Sequence, residues 1–425
     1  MEDAIKWVKE EIERRRSELI SLTSELIKFK TVVPPGETRD CVEYIRSYFD
    51  EAGIETKIYE RRRNKANISA EVQGELDGRI LWLGHLDVVP EGSHENWSYN
   101  PFGGEVVGNR IYGRGSSDMK GSCASAMVAA KVLSLIEEHC HPTVEFWFTC
   151  DEEVGAVDGA RWLAEKGIFR GEVCIIGDSF GSFPEAPWVD VGCKGYLRIR
   201  LLARGKTAHG SVPFMGDNAI DKLIRATEYV RRVSEYPLSL PDEIKPLLES
   251  STEFLLEEKA LNDAQKEAAS KIFYYPSVSL NLISGGVKIN VVPDLAEASF
   301  DIRITPGASI EDVKQRALKL LEESSVEGVE ASFSSCGEGY YEPPDSPAVE
   351  RMVEAVRLAV GVKPRLKILT GGTDGIFVRQ ISGIPSVGFG AGVRGTAHSP
   401  NEYVTIENLI MAAKTYAVFP LIWRS

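Results

Sequence analysis

A chain of 425 residues is too long for one compact core and implies two or three domains of roughly 150 residues each. With 43% hydrophobic and 26% charged residues, the composition is that of a folded globular protein and excludes disordered and fibrous classes. A net charge of −14 argues against nucleic acid and anionic membranes as partners, because both recruit basic surfaces.

The N-terminal stretch MEDAIKWVKEEIERRRSELISL carries charge throughout and places apolar residues at helical spacing. It reads as a helix over about 4–29 and is unlike a signal peptide, which needs an unbroken apolar stretch. A second helix is expected over 39–52. The short basic runs Arg14 to Arg16 and Arg61 to Arg63 read as solvated helix and loop faces. Apolar runs then alternate with amphipathic stretches. Buried strands are expected at 80–85, 144–150, 172–178 and 384–390, with a helix over about 120–138 linking the first two. That alternation marks an α/β fold, a mainly parallel sheet flanked by helices.

Around Gly192 to Gly195 the texture changes to alternating strands and amphipathic helices, the pattern of a separate α+β unit of about four strands and two main helices. The expected division is a first domain over 1–192 and 337–425 and an inserted domain over 193–336, with a helical insertion at about 236–271. No apolar run approaches the ~18 residues that suggest a membrane span. The seven cysteines, Cys41, Cys123, Cys140, Cys150, Cys174, Cys193 and Cys336, are scattered and form no C-x-x-C pair. Reduced thiols in a cytosol fit better than a disulfide framework.

Metal-type residues lie at or just beyond strand ends: His85, Glu152, Glu153, Asp178 and His398. Open parallel sheets build their sites at the carboxyl ends of strands, whereas chance would scatter such residues along the elements. Individually each has a plain alternative, as a strand-end histidine, a solvated acidic turn or a surface loop histidine. Asp87, two residues after His85, shares its face and can fix the imidazole tautomer. Asp118, in the glycine-rich turn GRGSSDMKGS, reads equally as a helix cap. The spacing of those glycines fits neither nucleotide-binding fingerprint. The triplet Asp151-Glu152-Glu153 places adjacent carboxylates at a buried strand end, where they repel unless cations or protons separate them. One glutamate could then coordinate a metal while its neighbour activates water. His94, His139 and His141 fall in sequence that reads as exposed loop or helix end.

The ordered series GHLDVVP, YGRGSSDMKG, TCDEEVGA, IIGD, GKTAHGSVPFMGDNAI, INVVPD, FDIRI, GGTDG and AHSPNEYV resembles the metallopeptidase family of acetylornithine deacetylase, succinyl-diaminopimelate desuccinylase, aminoacylase and glutamate carboxypeptidase. The resemblance runs from about Leu22 to the C-terminus, and the number and order of its motifs make coincidence untenable. It implies a ferredoxin-like inserted lid that also dimerises the chain. It further implies two divalent ions, zinc or cobalt, bridged by Asp118, with His85 and Asp178 completing one site and Glu153 and His398 the other. Glu152 would act as general base and Asp87 would orient His85. His209, in the A-H-x-x-x-P motif, would stabilise the oxyanion. Asn290 and Arg303, with Gly371, Gly372 and Thr373, would hold a substrate carboxylate. A cis peptide between Asp118 and Met119 is also implied.

The expected activity is hydrolysis of a small N-acyl amino acid in the cytoplasm by a homodimer. A carboxypeptidase or dipeptidase of the same family is the alternative, since aspartate at 178 is more usual in dipeptidase-like branches. A catalytically inactive ligand-binding protein is the alternative of another class, but it would be marked by lost ligands.

Overall fold

The computed structural model describes residues 2–136, 140–257 and 261–424, apart from the side chains of 334–336. The expected helix end at Glu138 and His139 lie outside the described residues. The chain forms two compact units: Met1–Gly192 with Glu342–Lys367 and Thr373–Ser425, and Cys193–Tyr341 with Ile368–Gly372. Among the described residues no helix is long and apolar enough to cross a membrane.

The first unit is built on a twisted mixed sheet. Its strands run in the order Glu55–Arg62, Lys65–Val72, Pro142–Thr149, Leu76–His85, Val173–Ile176, Ser386–Gly388 and Trp188–Cys193. From Pro142–Thr149 through Ser386–Gly388 neighbouring strands are parallel, and the flanking pairs are antiparallel. Parallel strands need cover on both faces, and the sequence supplies it through apolar residues on both sides of each strand. Leu81 and Leu83 pack with Trp147, Leu163, Phe169 and Ile176 on one face. On the other, the Trp82 ring lies 5.3 Å from Phe148 and 5.5 Å from Tyr416 of the helix Ile406–Ile422.

Two expectations need correction here. The N-terminal helix is two helices, Glu2–Arg14 and Arg16–Lys28, separated at Arg15, whose backbone (φ −89°, ψ 11°) leaves helical geometry. Ile12 and Leu19, buried on either side of the break, stand one heptad apart, so the apolar period passes through it undisturbed. His141 is not in an exposed loop but fully buried, with Nδ1 2.7 Å from the carbonyl oxygen of Pro142 at the start of a sheet strand.

In the second unit, four antiparallel strands run in the order Ser277–Gly285, Leu295–Ile304, Gly195–Arg204 and Val329–Gly337. The helices Ala219–Arg231 and Ile310–Glu323 complete a β-α-β-β-α-β ferredoxin-like motif. Gly195–Arg204 alternates as its sequence requires, burying Leu197, Ile199, Leu201 and Ala203 against Leu223, Val230, Val313 and Leu320 of the helices. The helices Lys245–Leu256 and Asp263–Lys271 form the insertion, the second started by an Asn262–Gln265 capping box. A short ribbon pairs Ala208–His209 with Val291–Val292.

Candidate metal centre

Because the central strands are parallel, their carboxyl ends and the loops that leave them share one edge of the first unit. His85 closes the strand Leu76–His85, and Glu152 and Glu153 follow Pro142–Thr149. Asp178 lies two residues beyond Val173–Ile176, and His398 is in the loop after Ser386–Gly388. Asp118 comes from the turn before the helix Gly121–Ser134, where Gly115 adopts φ +87°. A side chain there would be strained, and a Cβ would also fall 2.7 Å from Val88. The Asp118–Met119 peptide is cis.

These side chains form two groups, His85 with Asp118 and Asp178, and Asp118 with Glu153 and His398; within each group one ligand atom per residue lies within 4.8 Å of the others. Asp118 belongs to both. Its Oδ1 is 3.1 Å from His85 Nε2 and its Oδ2 is 3.1 Å from His398 Nε2, which also stands 3.1 Å from Glu153 Oε1. The other ring nitrogen of His85 is 3.0 Å from the main-chain carbonyl of Asp87, which fixes the tautomer that leaves Nε2 turned toward Asp118. The Asp87 carboxylate lies farther, 3.7 Å from His85 Nδ1. Its two oxygens instead accept the backbone N–H groups of Glu152 and Glu153, each at 3.1 Å. Asp87 therefore orients His85 mainly through its carbonyl and holds the acidic turn through its side chain.

The electrostatics show how much negative charge the site concentrates. Burial drives Glu152 well above the usual carboxylate range, opposed by His85 and reinforced by Asp374, Asp178 and Glu153. Asp178 is raised in the same way by burial and by Asp118. Burial lifts Asp87 to about 6. His398 is pushed up to about 10 by its hydrogen bonds to Asp118 and Glu153. For His85 burial works downward, but Asp118, Glu152 and Asp87 outweigh it and hold the ring well above its ordinary value. Asp118 is lowered because the two histidines overcome its burial. Asp178 Oδ1 is buried without a hydrogen-bond partner. Two imidazoles, a shared carboxylate and two further carboxylates, one of them carrying the orphaned buried oxygen, make a donor set that suits a pair of divalent cations. Cations would offset the repulsion that here raises the neighbouring carboxylates.

Two neighbours, Asp374 and Glu402, lie within the motifs GGTDG and AHSPNEYV but were not singled out from the sequence. Asp374, from the GGTDG segment, is buried and accepts a hydrogen bond from Thr149 Oγ1 at 3.2 Å. Burial lifts its carboxyl to about 7. Glu402 accepts the N–H groups of Ser117 and Asp118 at 2.9 and 3.0 Å and pairs with buried Arg114, so it holds the Asp118 turn from behind. In the second unit, His209 is exposed and its Nδ1 lies 2.7 Å from Ser211 Oγ. Asn290 is brought beside it, its carbonyl accepting Gly210 N–H at 2.8 Å. Arg303 stands on a sheet strand and pairs with Asp301 at 2.8 Å. Gly371 and Gly372 fall in the second unit. Thr373, in the first, is buried, with its Oγ1 accepting Gly375 N–H at 3.2 Å.

Residues 81–421 match the peptidase family M20/M25/M40. The chain belongs to the M20 peptidase family. A probable succinyl-diaminopimelate desuccinylase of Staphylococcus aureus is 29% identical to this M20 chain over 296 residues, 68% of the chain and 69% of the relative. In structure the chain is similar to an M20 family metallo-carboxypeptidase from Sulfolobus solfataricus, with a TM-score of 0.80, 22% identity and coverage of 95% of this chain and 99% of that one. It is also similar to a dipeptidase from Saccharomyces cerevisiae, with a TM-score of 0.81, 17% identity and coverage of 99% and 98%. This M20 protein is therefore a hydrolase of amide or peptide bonds.

Proposed function

We propose that the chain is a two-metal amide hydrolase that removes an acyl group from a small N-acyl amino acid. The observation that carries this reading is the single carboxylate, Asp118, standing between two ligand groups. His85 and Asp178 would hold one ion and Glu153 and His398 the other, zinc being the first choice for a mixed imidazole and carboxylate set and cobalt the second. When bound, two such ions would polarise the scissile carbonyl and lower the pKa of the attacking water. Glu152 would take a proton from that water and pass it to the nitrogen of the leaving amine, so that the amide C–N bond breaks as the new C–O bond forms. Glu152 stands next to the ligand Glu153 on the same turn, which places its carboxylate for both halves of that transfer. His209 is assigned to the oxyanion. Asn290, Arg303 and the segment Gly371 to Thr373 are assigned to the substrate carboxylate.

Hydrolysis of dipeptides or of C-terminal residues is the second reading, favoured by Asp178 and by the dipeptidase and carboxypeptidase folds the chain resembles. Initial rates on N-acetyl and N-succinyl amino acids, dipeptides and blocked peptides separate the two. Cleavage confined to N-acyl amino acids supports the deacylase, and cleavage of dipeptides alone replaces it. Glu152→Gln should abolish turnover on the preferred substrate while metal content stays at the wild-type level; full activity would remove Glu152 from the role of base.

The ferredoxin-like unit is assigned to lid and dimerisation. Its edge strand Ser277–Gly285 exposes Leu282 at 68% and Ile283 at 57%, and Val287 beyond it is 92% exposed. An apolar sheet edge of this kind invites pairing with another edge.

A further inference from the structure

The acidic turn that carries Glu152 and Glu153 is gripped from two sides. On one side the Asp87 carboxylate takes the N–H groups of both glutamates. On the other stands the hairpin formed by Glu55–Arg62 and Lys65–Val72. Asp151, the first acid of the triplet, does not join the metal groups. It is 2% exposed, has φ +72°, and its Oδ1 receives the ammonium of Lys65. Its Oδ2 accepts the N–H of Asp158 at 3.1 Å, closing the loop on itself. Lys65 also lies 3.4 Å from Asp158 Oδ2, and Arg62 Nε lies 3.2 Å from Asp158 Oδ1. Arg61 donates to the carbonyl of Val157. Two residues along the hairpin from Lys65, Asn67 accepts Cys150 N–H and donates to the Asp158 carbonyl, both at 3.0 Å.

The basic run that reads as a solvated loop face is thus partly spent on buried acids. Burial works against the charge on Lys65, and Asp151 and Asp158 outweigh it. The loop has little room to relax, because a Cβ on Gly159 would lie 1.8 Å from the Cys150 carbonyl oxygen.

We propose that Lys65, supported by Asn67 and Arg62, is a positioning residue whose grip on Asp151 and Asp158 sets where Glu152 and Glu153 point. The inference rests on the roles assigned above to those two glutamates. Lys65 binds Asp151 and Asp158 rather than either glutamate and acts through the turn. Partners that orient ligands in this way typically change metal affinity or activity by about 10–100-fold when removed.

The test compares wild type, Lys65→Met, Lys65→Arg and Glu152→Gln as full-length chains, measuring zinc affinity by competition with a chromogenic chelator, kcat and KM, and thermal midpoint. Lys65→Met is expected to lower kcat by about 10–100-fold with little change in KM and to weaken one of the two zinc ions similarly, with Lys65→Arg restoring most of both. A folded Lys65→Met chain with wild-type kcat and two wild-type zinc affinities overturns the proposal. If Lys65→Met does not fold, Lys65→Gln, which keeps a donor without the charge, is read in its place. Failure of both to fold makes Lys65 a stability residue and also overturns it. An active Glu152→Gln chain would refute the base assignment instead, while the zinc affinities still decide the clasp through Glu153.

Discussion

Asp118 presents one oxygen to His85 and the other to His398, so a single substitution reaches both ligand groups. Asp118→Asn should therefore lower the content of both ions by elemental analysis, whereas His398→Ala should lower one; an Asp118→Asn chain that keeps one ion at full occupancy contradicts the shared carboxylate. In the second unit, burial and the nearby Arg303 hold the Lys194 amine down to about 7. An unfolded chain keeps its lysine protonated to about pH 10.4, so between about 7 and 10 it binds more protons than the folded state and stability must rise with pH. Denaturant unfolding should show wild type gaining on Lys194→Met across that window, and parallel pH curves would contradict it. His85, Glu152, Glu153 and Asp178 stood out because they follow apolar runs, whereas Asp118, in a glycine-rich turn, and His398, in a loop, were marked by the motif series. Asp374 and Glu402 did not stand out: each follows a turn-forming segment in which an acid is ordinary, and only the folded chain shows them buried against the Glu152 and Asp118 turns.

At the scale of elements, the parallel strands were readable from two-sided apolar runs, and the inserted unit from the switch to alternation at Gly195–Arg204. Turns were harder, because their geometry depends on distant partners. Nothing in TCDEEVGA says that the first acid faces a hairpin lysine while the other two stand over Asp87. The break at Arg15 was hidden by an unbroken apolar period. Gly159→Ala puts a Cβ against the Cys150 carbonyl and should cut activity sharply by displacing the acidic turn; an unchanged kcat would show that the loop can yield. Trp82→Ala empties the space between the central strand and the helix Ile406–Ile422 and should cost about 3–5 kcal/mol in chemical denaturation.

For the whole molecule, the exposed apolar edge of the ferredoxin-like unit predicts self-association. Leu282→Asp combined with Val287→Asp should turn a dimer into a monomer by light scattering, and a wild-type chain that is monomeric at every concentration contradicts the dimer. Two ions that share the Asp118 carboxylate are expected to be needed for amide cleavage. The most direct test is elemental analysis of the full chain with hydrolysis of N-acyl amino acids and dipeptides, before and after chelation and after zinc is restored. Two ions per chain are expected, with activity that is lost on chelation and returns with zinc. Cleavage that survives complete removal of metal, or a chain that takes up no zinc or cobalt, would contradict that expectation.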